Sequence, residues 1–225
     1  MEQVIYILHL ETSTKVCSVA LSKNGEFVAL KESIDEQYAH GEKLMGYIQD
    51  TLDQGGIKVT DLHAISVASG PGSYTGLRIG VSTAKGICYG LNIPLIAVDS
   101  LTSMAIIARE KYPSAKLLPL IDARRMEVYS ALFSEHNYLI KPISADVIEA
   151  SSYQEFEPFV AFGDGAEKLV SIWGHRPLTW DLELHPSAKG QIALAFEKYQ
   201  QSLFENLAYF EPYYLKDFVT TIPKK

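Results

Sequence analysis

The sequence of 225 residues predicts an α/β protein of two lobes, each a mixed five-stranded sheet flanked by helices. Three observations carry that prediction. Short apolar runs of strand length alternate with segments of helical periodicity. A β-β-β-α-β-α order can be read in the first half, and the same order restarts in the second.

Val4 to Leu10 reads as a buried strand, and Val16 to Leu21 as a second after the polar turn Glu11-Thr-Ser-Thr-Lys. Lys23-Asn24-Gly25 is a hairpin turn, because Asn-Gly accepts positive φ at little steric cost. Phe27 to Ile34 gives the third strand. Leu44, Met45, Ile48 and Leu52 form the apolar arc of a helix from about Ala39 to Leu52, ended by Gln54-Gly55-Gly56. A strand (Leu62 to Ala68), a glycine-rich helix, a strand (Pro94 to Val98) and a helix (Leu101 to Lys111) complete the first lobe, residues 1–112.

The second lobe, residues 113–225, repeats the pattern. Leu117 to Ile121 ends in Asp122 much as the first strand ends beside Glu11, and Val128-Tyr-Ser-Ala-Leu132 echoes Cys17-Ser-Val-Ala-Leu21. Tyr138 to Ile143 is its third strand and Phe159 to Phe162 its fourth. Gly163-Asp-Gly165 turns into a helix through Trp173, and a last helix spans about Ser187 to Leu203. The final segment is expected to pack back towards the first lobe. Two lobes that each open with an antiparallel meander and continue in βα units define the actin/Hsp70/sugar-kinase architecture, a ribonuclease H-like fold.

Composition narrows the function. At 47% apolar and 21% charged residues the chain is an ordinary globular protein. A formal net charge of −7 argues against a dedicated nucleic-acid binder; Arg124-Arg125 and Lys224-Lys225 are the short basic pairs. Cys17 and Cys88 fit no metal spacing or disulfide framework, so buried reduced thiols are expected. No apolar run approaches membrane-spanning length and no signal peptide is read, so a cytoplasmic protein is expected.

The most informative segment runs from Ser69 to Leu91. Gly76, Gly80, Ala84 and Cys88 recur every four residues and lie on one helical stripe. Interior glycines cost about 1 kcal/mol each relative to alanine, which close packing offsets. That packing is read two ways, as docking onto the chain's own sheet or as a surface for a partner. Gly70-Pro-Gly72-Ser-Tyr-Thr-Gly76 resembles a phosphate cradle at a helix N-terminus, but lacks the ending of a P-loop and the Gly-x-Gly-x-x-Gly spacing. A tight turn is the favoured reading.

The hydroxyls of Thr12 and Ser13 are candidate nucleotide contacts, with satisfaction of the turn's own backbone favoured over that role. Gly163 and Gly165 fit an adenosine-contacting loop or a plain βα turn equally. None of the six histidines pairs at i, i+4 on a helix; His40 opens the first helix, where capping or an interface outweighs catalysis. Glu11 and Asp122 are acids at strand ends, yet nothing places them in one site, and no serine or cysteine has an evident base. No catalytic residue and no metal site is expected.

Ile7-Leu-His-Leu-Glu-Thr-Ser-Thr14, Cys17-Ser-Val-Ala-Leu21, Ser69-Gly-Pro-Gly-Ser-Tyr-Thr-Gly-Leu-Arg-Ile-Gly-Val81 and Asp122-Ala-Arg-Arg-Met-Glu-Val-Tyr129 are similar to the bacterial TsaB (YeaZ) family. Gly163-Asp-Gly-Ala166 and Glu211-Pro-Tyr-Tyr-Leu-Lys-Asp-Phe218 extend the resemblance over essentially the whole chain. It implies a part in making N6-threonylcarbamoyladenosine at position 37 of tRNA. The family supplies a non-catalytic scaffold or activator that forms a heterodimer with the transferase TsaD, with the ATPase TsaE in a larger complex. Alone, such a subunit is a homodimer. It meets tRNA only through the complex, and ATP or ADP belongs to the assembled complex.

The transferase relatives carry Asn-His-Leu-Glu-Gly-His after the equivalent strand, with two metal-binding histidines. Here the stretch is Asp99-Ser-Leu-Thr-Ser-Met104, so Ser100 and Met104 take the ligand positions. A hydroxyl and a thioether are poor partners for cations that imidazole binds. The resemblance also implies a four-helix bundle between partners, with His40, Leu44, Ile48, Leu52, Gly76, Gly80, Thr83, Ala84 and Ile87 as this chain's share. On that reading Gly80→Leu prevents both complexes and leaves the monomer folded. A small ATP-dependent phosphotransferase of the same fold and a metallopeptidase-like protein are the alternatives.

Overall fold

A computed structural model describes residues 4–34 and 40–216. The first sheet holds β1 (Tyr6–Glu11), β2 (Val16–Lys23), β3 (Glu26–Ile34), β4 (Ala64–Gly70) and β5 (Leu95–Asp99) in the order β3-β2-β1-β4-β5. The second holds β6 (Leu117–Asp122), β7 (Glu127–Phe133), β8 (Leu139–Val147), β9 (Val160–Phe162) and β10 (Thr179–Asp181) in the order β10-β9-β6-β7-β8. In each, three strands form an antiparallel meander and two more continue in parallel. The duplicated two-lobed topology follows from the repeat in the sequence.

The β2–β3 turn forms at Asn24 and Gly25, both at positive φ, and Asn24 Oδ1 accepts from Ile5 N at 2.8 Å. The helix α1 (His40–Gly55) packs on β2 and β3 and brings Leu44, Ile48 and Leu52 into the core; α2 (Tyr74–Leu91) adds Val81, Ala84 and Cys88 to it. Ala39, expected to start α1, lies outside the described residues, as do Asp217, Phe218 and the terminal lysine pair. Both cysteines are buried outside any disulfide, and burial pushes the Cys88 thiol up to about 12.

The second lobe departs from expectation in its helices. The helix expected from Gly165 to Trp173 is a 3-10 turn at Glu167–Leu169 followed by the single turn α4 (Val170–Trp173). The last helix begins as a 3-10 turn at Ala188–Gln191, capped by Ser187, and ends sooner, as α5 (Ile192–Gln200). The fifth strand expected of this sheet is β10, whose position the sequence does not mark, because three residues are too few to show an alternating pattern.

Two helices change sides. The helix α3 (Ser100–Lys111) follows the first sheet, yet Leu101, Met104, Ala105 and Ala108 pack with Ile121, Ala131, Phe133 and Phe162 of the second. Conversely, α5 follows the second sheet, and its Ala195 packs with Ile7, Ala64, Ile96 and Val98 of the first. Beyond α5 the chain runs to residue 216 without helix or strand. It lies along the first lobe, where Glu205 N donates to Leu95 O at 2.9 Å and Leu207 and Phe210 join the core.

Candidate functional site

The small-residue stripe of α2 faces inward. The Ser73 side chain caps the helix, accepting from Gly76 N at 3.2 Å. A Cβ on Gly76 would lie under 3.0 Å from Thr12 O, and one on Gly80 under 3.0 Å from Thr12 Oγ1. The Thr12 hydroxyl donates to Gly76 O at 2.8 Å. The glycines therefore let α2 lie directly on the β1–β2 turn, the first of the two readings of the stripe.

This placement corrects the expected interface. Leu44, Ile48, Leu52, Gly76, Gly80 and Ala84 are buried inside their own lobe. His40 is buried too, and its Nε2 donates to Thr14 O at 2.7 Å. Of the nine residues, Thr83 and Ile87 reach the surface, half-buried. The outward faces instead carry Met45 and Gly46 on α1, and Ser82, Gly86 and Gly90 on α2. Around Gly41, Gly46, Gly86 and Gly90, no atom stands within 4 Å of where a Cβ would sit. Ser82, Gly86 and Gly90 form a second stripe of period four, a signal as plain in the sequence as the first.

A cleft of about 490 Å³ opens between the lobes, lined by Ser13 and Ser73 on one side, Asp122, Arg124 and Asp164 on the other, and Tyr213 at its edge. Among the expected nucleotide contacts, Ser13 lines it, and the Ser13 hydroxyl has no hydrogen-bond partner among the described residues. The other three are engaged in the fold. Thr12 is spent on α2, while Gly163 (φ +99) and Gly165 press against the backbone of Leu120 and Ile121, which a Cβ would meet under 3.0 Å.

The second-lobe wall is a braced turn. Asp122 pairs with Lys168 and accepts from Arg124 N at 3.0 Å; Lys168 also donates to Arg125 O at 2.9 Å and Glu127 O at 2.6 Å. Arg124 and Arg125 both sit at positive φ, 70° and 50°. Non-glycine residues take that conformation at a cost that the surrounding bonds must offset. Burial pushes the Asp164 carboxyl up, although Asp122 N donates to it at 3.0 Å.

Glu11 and Asp122 do not meet in one site. Glu11 is fully buried, its Oε1 accepting from Ser13 N at 2.7 Å and its other oxygen without a partner among the described residues. Burial pushes it up to about 6, with nearby Asp99 adding to the shift. Asp99 caps α3, accepting from Thr102 N at 2.7 Å, and burial pushes it also to about 6. Ser100 and Met104, which the resemblance sets at the ligand positions, are fully buried, Met104 within the second core. Among the described residues, no group of three or more His, Cys, Asp or Glu is placed to hold a metal ion.

A family model described as TsaD, tRNA N6-adenosine threonylcarbamoyltransferase, matches residues 30–216. The chain is 30% identical to the tRNA threonylcarbamoyladenosine biosynthesis protein TsaB of Escherichia coli strain K12 over 223 residues, 94% of each chain. The chain belongs to the TsaB family. TsaB of Haemophilus influenzae is likewise 30% identical, over 97% of this chain and 96% of its own. The crystal structure of YeaZ from Pseudomonas aeruginosa superposes with a TM-score of 0.77 at 25% identity, over 94% of this chain and all of the other. A more distant likeness shows the fold alone. It is to the activator of 2-hydroxyisocaproyl-CoA dehydratase from Clostridium difficile, solved with bound ADPNP (TM-score 0.52, 9% identity, 90% and 99% coverage). Within this TsaB chain the Gly-Pro-Gly-Ser-Tyr-Thr-Gly block is the β4–α2 connection, and the Asp122 block is the braced turn of the cleft.

Proposed function

We propose that this chain serves the synthesis of tRNA threonylcarbamoyladenosine as a non-catalytic subunit that pairs with TsaD in the cytoplasm. Full-length likeness to TsaB of E. coli carries the reading. The buried Ser100 and Met104 support it: where the transferases place imidazoles, this chain has a hydroxyl and a thioether inside a packed core. The outward faces of α1 and α2, around Met45, Gly46, Thr83, Gly86 and Ile87, are the surface given to the partner. Open glycines there allow two helices to approach closely. The same surface pairs two copies when TsaD is absent. ATP or ADP, TsaE and tRNA join at the assembled complex. The test is a modification assay on unmodified tRNA with TsaD, TsaE and the enzyme that makes the threonylcarbamoyl adenylate. Modification should require this chain, and full activity without it would overturn the reading.

A further inference from the structure

The lobes meet where the 188–191 turn packs on α3, here called the back, and again along the C-terminal segment that lines the cleft, here called the mouth. At the back, the 188–191 turn lies against α3 so closely that a Cβ on Gly190 would stand under 3.0 Å from Ser103 O. Arg109 fastens the nearby connection, donating to Tyr112 O at 2.9 Å and Ala115 O at 2.7 Å. At the mouth, the C-terminal segment crosses from one lobe to the other. Tyr213 N donates to Ser69 O of β4 at 2.7 Å. The Tyr214 ring lies 4.8 Å from that of Tyr74, and its hydroxyl accepts from Arg78 Nε at 3.2 Å. Two residues later, Lys216 reaches the second lobe, pairing with Glu127 and donating to Ala123 O at 3.3 Å.

We propose that residues 213–216 are a latch that holds the lobes together over the cleft, which opens about the contact between Gly190 and Ser103. The latch residues line the cleft themselves, so entry and exit pass beside them. The segment has no regular secondary structure, and among the described residues its polar bonds to the second lobe are the Lys216–Glu127 pair and the bond to Ala123 O. Lys216 is 36% exposed and Glu127 23%. Partly exposed ion pairs hold weakly, and segments tied by few bonds are those that open locally. The back contact is backbone against helix and buried, so separation begins at the mouth. The inference rests on the lobe geometry and stands apart from the reading of function.

Hydrogen exchange followed by mass spectrometry on the full chain tests it, with Lys216→Met and Glu127→Gln. In both variants, peptides covering residues 205–216 and 122–127 should exchange faster, by up to about fivefold. Those from β1 and α3 should keep their rates. The double variant should be no faster than Lys216→Met alone, since that change already removes the pair with Glu127 along with the bond to Ala123 O. Unchanged exchange at 205–216, additive acceleration, or acceleration that reaches β1 would overturn the latch. If Lys216→Met does not fold, Glu127→Gln alone gives the same comparison.

Discussion

The hydroxyl of Thr12 occupies the space that a side chain at position 80 would need. It donates to Gly76 O at 2.8 Å and lies under 3.0 Å from where a Cβ on Gly80 would sit. Gly80→Ala should therefore destabilise the monomer by about 1–3 kcal/mol, and Gly80→Leu by more, through overpacking. The expectation that Gly80→Leu leaves the monomer folded does not survive this geometry. Urea unfolding checks it, and an unchanged midpoint for Gly80→Leu would contradict the inward placement of the stripe.

The outward glycines give the opposite result. Gly86 has no neighbour within 4 Å, so Gly86→Leu meets no clash in the monomer. Removing a helix-interior glycine should stabilise the free chain by up to about 1 kcal/mol. If the partner packs on this face, the same change should weaken capture of TsaD at least about tenfold. Thermal unfolding and a pull-down measure the two effects separately. Wild-type capture by Gly86→Leu and by Gly46→Leu would remove this face from the proposed interface.

Glu11 predicts a pH signature. Burial raises its folded-state value to about 6 from 4.5, so the folded chain binds the proton more tightly than the unfolded one. Its contribution to stability is full below about 4.5 and is lost as the pH rises through about 6. Glu11→Gln keeps an acceptor for Ser13 N and removes the buried charge. It should gain up to about 2 kcal/mol at pH 7.5, with the gain shrinking towards zero near pH 4.5. Buried His9, lowered to about 3, acts in the other direction and cancels when variant and parent are compared. A gain independent of pH would be incompatible with this account.

In the second lobe Asp146 is the shared acceptor of a clasp between β7, β8 and Tyr153. Ser130 and Tyr153 donate to it at 2.5 Å, Ser144 at 2.8 Å and Lys141 at 2.9 Å. Burial alone would push Asp146 up, but these donors together hold it below the usual carboxylate range. Asp146→Asn should cost about 2 kcal/mol, since an amide leaves at least one donor unsatisfied. Denaturant unfolding reads this directly, and a loss under about 0.5 kcal/mol would show the clasp to be dispensable.

The sheets were legible because their signals are local: apolar runs, Asn24-Gly25, and a motif order stated twice. The facing of α2 was not. Its small residues fall on two stripes of period four, one at Gly76, Gly80 and Ala84 and one at Ser82, Gly86 and Gly90, and helical spacing does not choose between them. The choice is made by Thr12, which lies far away in sequence and close by in space. The cleft divides in the same way. Thr12 and Ser13 are neighbours of like chemistry, yet Thr12 is bonded to α2 while Ser13, equally buried, lies in the wall of the cleft. Gly163 and Gly165, which fit a ligand-contacting loop and a plain βα turn equally in the sequence, are held against β6. The sides taken by α3 and α5 depend on long-range packing that no window of sequence contains.

That exchange of helices makes the molecule hard to divide. A fragment ending at Lys111 would bring α3 with Leu101, Met104, Ala105 and Ala108 bare, and would leave Ile7, Ile96 and Val98 without Ala195 over them. The remaining fragment would carry the reciprocal wound. Neither half carries a complete core of its own, because each holds the helix that the other lacks.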